Sequence, residues 1–363
     1  MKKVAILSLS FFTVLTGAIL APALPAIQQS YPQVSAFWLQ SLLTLPSLTL
    51  LIMLAVMRKL PGNKKQQVLV GLLIYLAGGL SPMVPMPFVG LAMARLVSGL
   101  GLSLFAGPAI SLIGEHYPDT QTRRQMLGWA SAVTSAGTIS AVTLAGWLQV
   151  ADWHWVFGLY SMAVIPLALI WRWLPERSHE AAKATAPFRL TRALVASYGL
   201  NLSWNALYFV LPTTVPFYFQ SWLHDLDATH AGYLMAGVAT VGLVVGMNYA
   251  RIHWSPTAKL VSVFVVLTIG GGLLLARQPW LAMIFAGVGV ALAMPVFNEQ
   301  VIAQARPIDR DHALNVGYAM VFAGQLVSPL LFSGLNIEWR LWGITIVSFA
   351  LALLAWRLQV AAA

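Results

Sequence analysis

Twelve apolar runs of about 20 residues recur along the chain, with short polar breaks between them. At about 1.5 Å of helical rise per residue, each is long enough to cross roughly 30 Å of hydrocarbon. In lipid such a segment must satisfy its own backbone N–H and C=O groups, and for isolated runs of this kind that means α-helix. Their limits fall at 4–24, 37–57, 67–84, 87–113, 125–148, 154–174, 191–221, 229–251, 258–276, 280–303, 312–335 and 339–359. Of 363 residues 59% are hydrophobic and 9% charged, which leaves almost nothing for a separate aqueous domain. The opening stretch, two lysines and an apolar run ending in an Ala-x-Ala-like sequence, also fits a cleavable signal peptide. Its length and the eleven spans after it favour a retained first helix. With no cysteine, disulfides and thiolate metal sites are excluded.

A net charge of +10 invites a nucleic-acid reading, but the 21 lysines and arginines are distributed by topology. With the N-terminus cytoplasmic, eighteen of them fall on the inner side, Arg277 and Arg340 fall outside, and Arg95 lies within a span. That asymmetry sets both termini in the cytoplasm and an even helix count, in a multi-pass protein of the cell membrane. Topology therefore accounts for the basic charge, and nucleic acid is excluded as a partner.

The longest polar connection, "LPERSHEAAKATAPFRLTR", separates the sixth and seventh spans. It divides the chain into an N-terminal six-helix bundle at 1–174, a cytoplasmic linker at 175–190 and a C-terminal six-helix bundle at 191–363. A weak internal repeat supports the division. Gly99, Gly101, Pro108, Pro118, Gly128, Gly137 and Gly146 correspond to Gly287, Gly289, Pro295, Pro307, Gly317, Gly324 and Gly334, at offsets between 187 and 189. The fold class is thus an all-α membrane protein with two pseudo-symmetric six-helix bundles.

This plan resembles the major facilitator superfamily over essentially the whole chain. "RLVSGLG", Arg95 to Gly101, resembles that superfamily's motif in the fourth helix. "ALPAIQQSYP", Ala23 to Pro32, and "RRQMLGWASAVTSAG", Arg123 to Gly137, resemble segments of its 12-helix drug–proton antiporters. The loop between the second and third spans departs from the family pattern. Gly62, Lys64 and Lys65 persist, but Ala55 stands where the family has its first glycine and Lys59 where it has an aspartate. The resemblance implies that this aspartate latches one access state, so the latch here differs. In the fifth span Gly137 is followed by Thr138 where antiporters have proline. The residues expected to serve the conformational change are Gly62, Lys64, Lys65, Gly99, Gly101 and Gly137.

The resemblance also implies a cavity lined by the first, fourth, seventh and tenth helices, where polar groups are tolerated. Arg95, Thr13, Thr16, Asn201 and Asn205 fall at similar depth in their spans. In the seventh span Asn201, Trp204, Asn205 and Tyr208 recur at i, i+3, i+4 and i+7, one helical face. Facing lipid, its amides would be unpaired. Facing inward, they either line a substrate site or bond neighbouring helices. Arg95, at a depth where an uncompensated charge costs roughly 3 to 15 kcal/mol, is read in two ways. It is a structural cation bonded to carbonyls or to Gln40, Ser131, Thr134 or Ser135, or it is a cavity cation for substrate. The expected cavity set is Arg95, Phe12, Thr16, Asn201, Trp204, Asn205 and Tyr208.

Of the eleven carboxylates only Glu299 lies inside a proposed span, near its cytoplasmic end, where Arg306 offers a partner. It is the candidate coupling group, and both proton coupling and uniport stay open. The positive charge at mid-depth favours neutral or anionic amphipathic substrates. No span carries a central histidine for a serine nucleophile such as Ser103, and no aspartate-rich metal cluster occurs, so no enzyme, metal or cofactor is expected. The function expected is alternating-access export of a small amphipathic molecule, drug-efflux-like, by a monomer whose partners are substrate, lipid and protons where flux is coupled. Two alternatives stand beside it: uptake or facilitated passage of a small organic anion or metabolite, and a non-transporting receptor or scaffold.

Topology is directly testable because native thiols are absent. Cysteine placed by Ser178→Cys should react with an impermeant maleimide only from the cytoplasmic side, and one placed by Asp152→Cys only from outside. External labelling of position 178 would overturn the orientation.

Overall fold

In lipid a broken helix must find other partners for its backbone, and this chain breaks several. The computed structural model describes residues 2–12, 15–56, 63–116, 120–174, 188–224, 229–306 and 309–360. It divides into two compact units, residues 1–183 with 227–233, and residues 184–226 with 234–363. No strand occurs among the described residues.

In the first unit the described parts of the opening span are α1 (Lys2–Phe12), α2 (Leu15–Ala18) and α3 (Leu24–Ser30), with residues 13–14 outside the described residues and a break in the helix between Ala18 and Leu24. Gly17, Pro22 and Pro25 account for the interruption, since Gly favours turns and Pro cannot donate to the ladder. α4 (Ala36–Val56) holds Pro46 in its interior. α5 (Lys64–Leu80) starts at Asn63, whose side chain accepts from the Lys65 N–H at 2.9 Å. α6 (Phe88–His116) follows Pro85 and Pro87, and α7 (Thr120–Ala151) is the longest helix of the unit. Asp152 caps a 3₁₀ segment, Trp153–Ala163, that continues into α8 (Val164–Trp173). His154 donates its N–H to the Asp152 carboxylate and sets its ring nitrogen 2.6 Å away, which holds that exposed carboxyl below its ordinary value.

The second unit opens with α9 (Arg192–Tyr208) and α10 (Val210–Trp222), separated at Phe209 because Pro212 leaves the Tyr208 carbonyl without a helical donor. Then come α11 (Thr229–Met247), a 3₁₀ turn at Tyr249–Arg251, α12 (Pro256–Leu275), α13 (Pro279–Gln304), α14 (Arg310–Phe332) and α15 (Ile337–Val360). α12 packs on α13 and α15, and α9 on α14.

Among the described residues nine helices are long and apolar enough to cross a membrane. They correspond to nine of the twelve expected spans. The first and seventh spans are missing from that set because their helices are interrupted. The fifth, α7, is long but carries Thr134, Ser135, Thr138, Ser140 and Thr143. Of the expected linker, residues 175–187 lie outside the described residues, as does Gly62.

Close helix contact rests on small residues, as in membrane bundles generally. A Cβ on Gly71 would lie 2.8 Å from the Gly101 carbonyl oxygen, and one on Gly101 would run into the backbone of Tyr75. Gly101 therefore lets α6 touch α5. Gly99 does the same toward α4: its Cβ would sit 2.5 Å from Pro46 Cα and 2.8 Å from the Pro46 oxygen. Gly137 meets the Phe11 carbonyl at 2.7 Å, which joins α7 to α1. Gly272 in α12 would meet nothing within 4 Å. Gly99→Ala should therefore lower the thermal stability of the purified protein, by about 1–3 kcal/mol for overpacking. Gly272→Ala should leave it unchanged or raise it by up to about 1 kcal/mol.

Candidate functional site

The buried charge organises the first unit. Arg95 sits on α6 one turn before Gly99, with 1% of its surface exposed. Its Nε donates to the Leu42 carbonyl of α4 at 2.9 Å, Nη1 donates to the Tyr160 hydroxyl, and Nη2 donates to the Thr16 carbonyl of α2. The Thr16 hydroxyl bonds that of Tyr75 on α5 at 3.1 Å. Tyr75 packs against Tyr160 at 4.8 Å between ring centroids, against Phe105 at 5.4 Å and against Phe12 at 6.3 Å. Arg95 and Thr16, expected at a common depth, thus lie in one cluster with Phe12, while Thr13 lies outside the described residues. The cluster's other members, Tyr75 and Tyr160, were not picked out from the sequence.

Of the two kinds of structural partner expected for Arg95, the carbonyls are found, on α4 and α2, and the Tyr160 hydroxyl stands where other side chains were expected. Thr134 donates to the Ser10 and Ala130 carbonyls, Gln40 is buried, and the Ser131 side chain lies outside the described residues. The three N–H groups of Arg95 described above go to Leu42, Tyr160 and Thr16. Two of its three acceptors are backbone carbonyls, which carry no residue signature in a sequence.

In the second unit Asn201, Trp204 and Asn205 are buried. Asn201 Nδ2 donates to the Gly317 carbonyl of α14 at 3.0 Å, and Trp204 Nε1 donates to the Val263 carbonyl of α12 at 3.0 Å. Asn205 Nδ2 donates to both oxygens of Asn201 at 2.9 Å. The polar stripe does face inward, where it bonds α9 to its neighbours. Tyr208, partly exposed, stacks on Trp204 at 5.1 Å and 6°. It lines a small apolar cavity with Leu211, Leu234, Val238, Leu267 and Met283.

Glu299 is 49% exposed and pairs with Lys259 Nζ at 3.1 Å. The Arg306 side chain instead meets Asp309, at 2.6 Å. This corrects the expected Glu299–Arg306 pairing: the nearest cation along the chain is not the nearest in space. Lys259 also lies 4.9 Å from the Tyr249 ring. Of the residues expected to serve motion, Lys64 and Lys65 form the first turn of α5, and Gly99, Gly101 and Gly137 are helix contacts.

A sequence model of the Major Facilitator Superfamily matches residues 6–307. The chain belongs to that superfamily. Its fold is similar to that of the nucleoside transporter NupG, in a mutant form, with a TM-score of 0.77 at 12% identity over 99% of both chains. A bacterial homologue of the human lysosomal transporter Spinster, inward-facing and occupied, gives 0.76 at 13% identity over 98% of this chain and 96% of the other. A D-xylose–proton symporter gives 0.74 at 15% identity over 97% and 96%. In sequence, 178 residues are 25% identical to the multidrug resistance protein Stp of Mycobacterium tuberculosis, which is 48% of this chain and 33% of Stp. The match thus spans about a third of that relative's length. The superfamily's fold is a transporter fold and points away from an enzyme.

Proposed function

We propose that this chain is an alternating-access secondary carrier that exports a small, partly apolar organic molecule, neutral or anionic, across the cell membrane. The observation that carries the reading is the superfamily match over residues 6–307. The partial similarity to a multidrug resistance protein favours efflux. Charge favours the substrate class. Exporters of lipophilic cations need a buried anion for their ligand, whereas the deeply buried charge of the first unit is Arg95, and the eleven carboxylates leave only Glu299 within a span. In this reading residues 175–190 are the cytoplasmic connection between the halves, and Tyr208 is the member of the seventh-span face free enough to meet substrate.

Glu299 is the coupling candidate in the same reading. Its exposure and its Lys259 partner favour a structural ion pair at the surface of α13. Uniport then follows if the carboxylate is dispensable.

The test uses purified protein and vesicles. A neutral amphiphile such as chloramphenicol or an anionic dye such as carboxyfluorescein should raise the melting temperature and show saturable flux, while ethidium should do neither. Ethidium transport would overturn the charge argument. Stabilisation without flux of any probe would favour a receptor. Glu299→Gln should abolish flux driven by a pH gradient, with exchange retained, if protons are coupled there.

A further inference from the structure

Pro46 has no N–H, so the carbonyl four residues before it in α4, Leu42 O, has no helical donor. Thr16 lies in the last turn of the helix that ends at Ala18, where carbonyls have no helical partner of their own. These two carbonyls are the ones that Arg95 Nε and Nη2 reach. We propose that Arg95 is a positioning residue: its fork supplies donors to backbone carbonyls left open at the Pro46 kink and at the break in the first span, so the shape of both spans depends on it. This rests on hydrogen bonds within one unit and not on the transport reading.

The second unit contains its own control. Arg95 stands four residues before Gly99, and Met283 four before Gly287, at the repeat offset of 188. Gly99 closes on Pro46. Gly287 closes on the corresponding stretch of α11, its Cβ 2.7 Å from the Val238 oxygen and 2.6 Å from Val241 Cβ. Where the first unit has Pro46 against Gly99 and Arg95 one turn before that glycine, the second has Val238 against Gly287 and Met283 one turn before it. Likewise Gly79 faces the Tyr160 ring in the first unit, and Gly271 faces Thr345 in the second. α11 runs unbroken from Thr229 to Met247, so Leu234 O keeps its helical donor and nothing at position 283 need supply one. Val238, Gly271 and Met283 border the apolar cavity. The kink and the arginine occur together in one unit, and both are missing at the matching place in the other.

Three competing readings separate from this one. A substrate cation would present donors to a cavity, but Arg95 is 1% exposed and its head is occupied by Leu42, Thr16 and Tyr160. A site needing only positive charge would accept lysine, which offers one ammonium and cannot span carbonyls on two helices. A residue that merely fills space would not be coupled to Pro46.

The experiment is a double-mutant cycle on the purified full chain, with Arg95→Met, Pro46→Val and their combination, which transplants the pair found in the second unit. Melting temperature and hydrogen exchange of peptides over 15–23 and 38–50 are read for each. Arg95→Met should lower the melting temperature and speed exchange in both segments. Adding Pro46→Val, which restores an N–H for Leu42 O, should recover part of the melting temperature and the protection of 38–50, while 15–23 stays fast because the Thr16 carbonyl is still uncovered. In the Arg95 background Pro46→Val should bring no such gain. Equal shifts from Pro46→Val in both backgrounds would overturn the proposal, as would wild-type behaviour of Arg95→Lys. If Arg95→Met yields no folded protein, Arg95→Lys takes its place in the cycle, read by the same criterion.

Discussion

A backbone carbonyl in hydrocarbon with no donor costs several kcal/mol, and this constraint orders the rest of the structure. A straight helix meets it without help. Each departure from straightness opens an acceptor that some other group must fill. In the first unit the openings lie at Thr16 and Leu42, and a guanidinium fills both. In the second the Asn201 amide and the Trp204 indole donate to the carbonyls of Gly317 and Val263 inside continuous helices, where they tie α9 to its neighbours rather than fill an opening. Where α14 ends, Arg340 donates to the carbonyls of Leu335 and Ser333. Polar side chains in this protein mostly serve backbone.

This explains how a cation is tolerated at depth without a carboxylate beside it. Arginine carries five N–H donors in a planar fork, is weakly hydrated compared with an ammonium, and keeps its charge. Surrounding it with carbonyl and hydroxyl oxygens gives it a shell of negative dipole ends, while each of those oxygens gains a charge-assisted bond. The surrounding aromatic rings of Tyr75 and Tyr160 exclude water and so strengthen every bond inside. The Gly99 contact completes the arrangement: without a Cβ there, α6 lies close enough to α4 for the side chain one turn earlier to reach Leu42.

Much of the fold was legible in the sequence because bilayer thickness fixes a length that hydropathy can count. Nine of the twelve runs appear as continuous spans among the described residues. Interruption was less legible. Pro46 and Pro212 are visible as letters, yet whether a proline bends a helix or splits it depends on donors supplied from elsewhere. For the site, burial depth grouped Arg95 with Thr16, and i, i+3, i+4 spacing grouped Asn201 with Trp204 and Asn205. What spacing could not reveal was the acceptor, since Leu42 O and Gly317 O belong to residues of no chemical distinction. One signal was available: a proline four residues after Leu42 announces a free carbonyl near a buried arginine. Glu299 shows the opposite limit, because its partner Lys259 is 40 residues away along the chain and adjacent only through the packing of α12 on α13.

The two units also differ in how firmly the matching locus is held. Around Arg95 three directional bonds and packed rings fix the geometry, and any shift of α2 or α4 breaks a bond to a charged donor. Around Met283 the walls are Leu211, Leu234, Val238 and Leu267, and a void of about 20 Å³ remains. A space of that size could hold about one water, but its apolar walls offer too few partners to keep one. Thioether side chains with three rotatable bonds, Met235 and Met283, border it and can fill or vacate the gap at small cost. Repeated halves of one chain thus share a backbone contact, glycine against the facing helix, and diverge in what stands one turn before that glycine. Directional bonding makes the first half stiff there, and loose apolar packing leaves the second deformable.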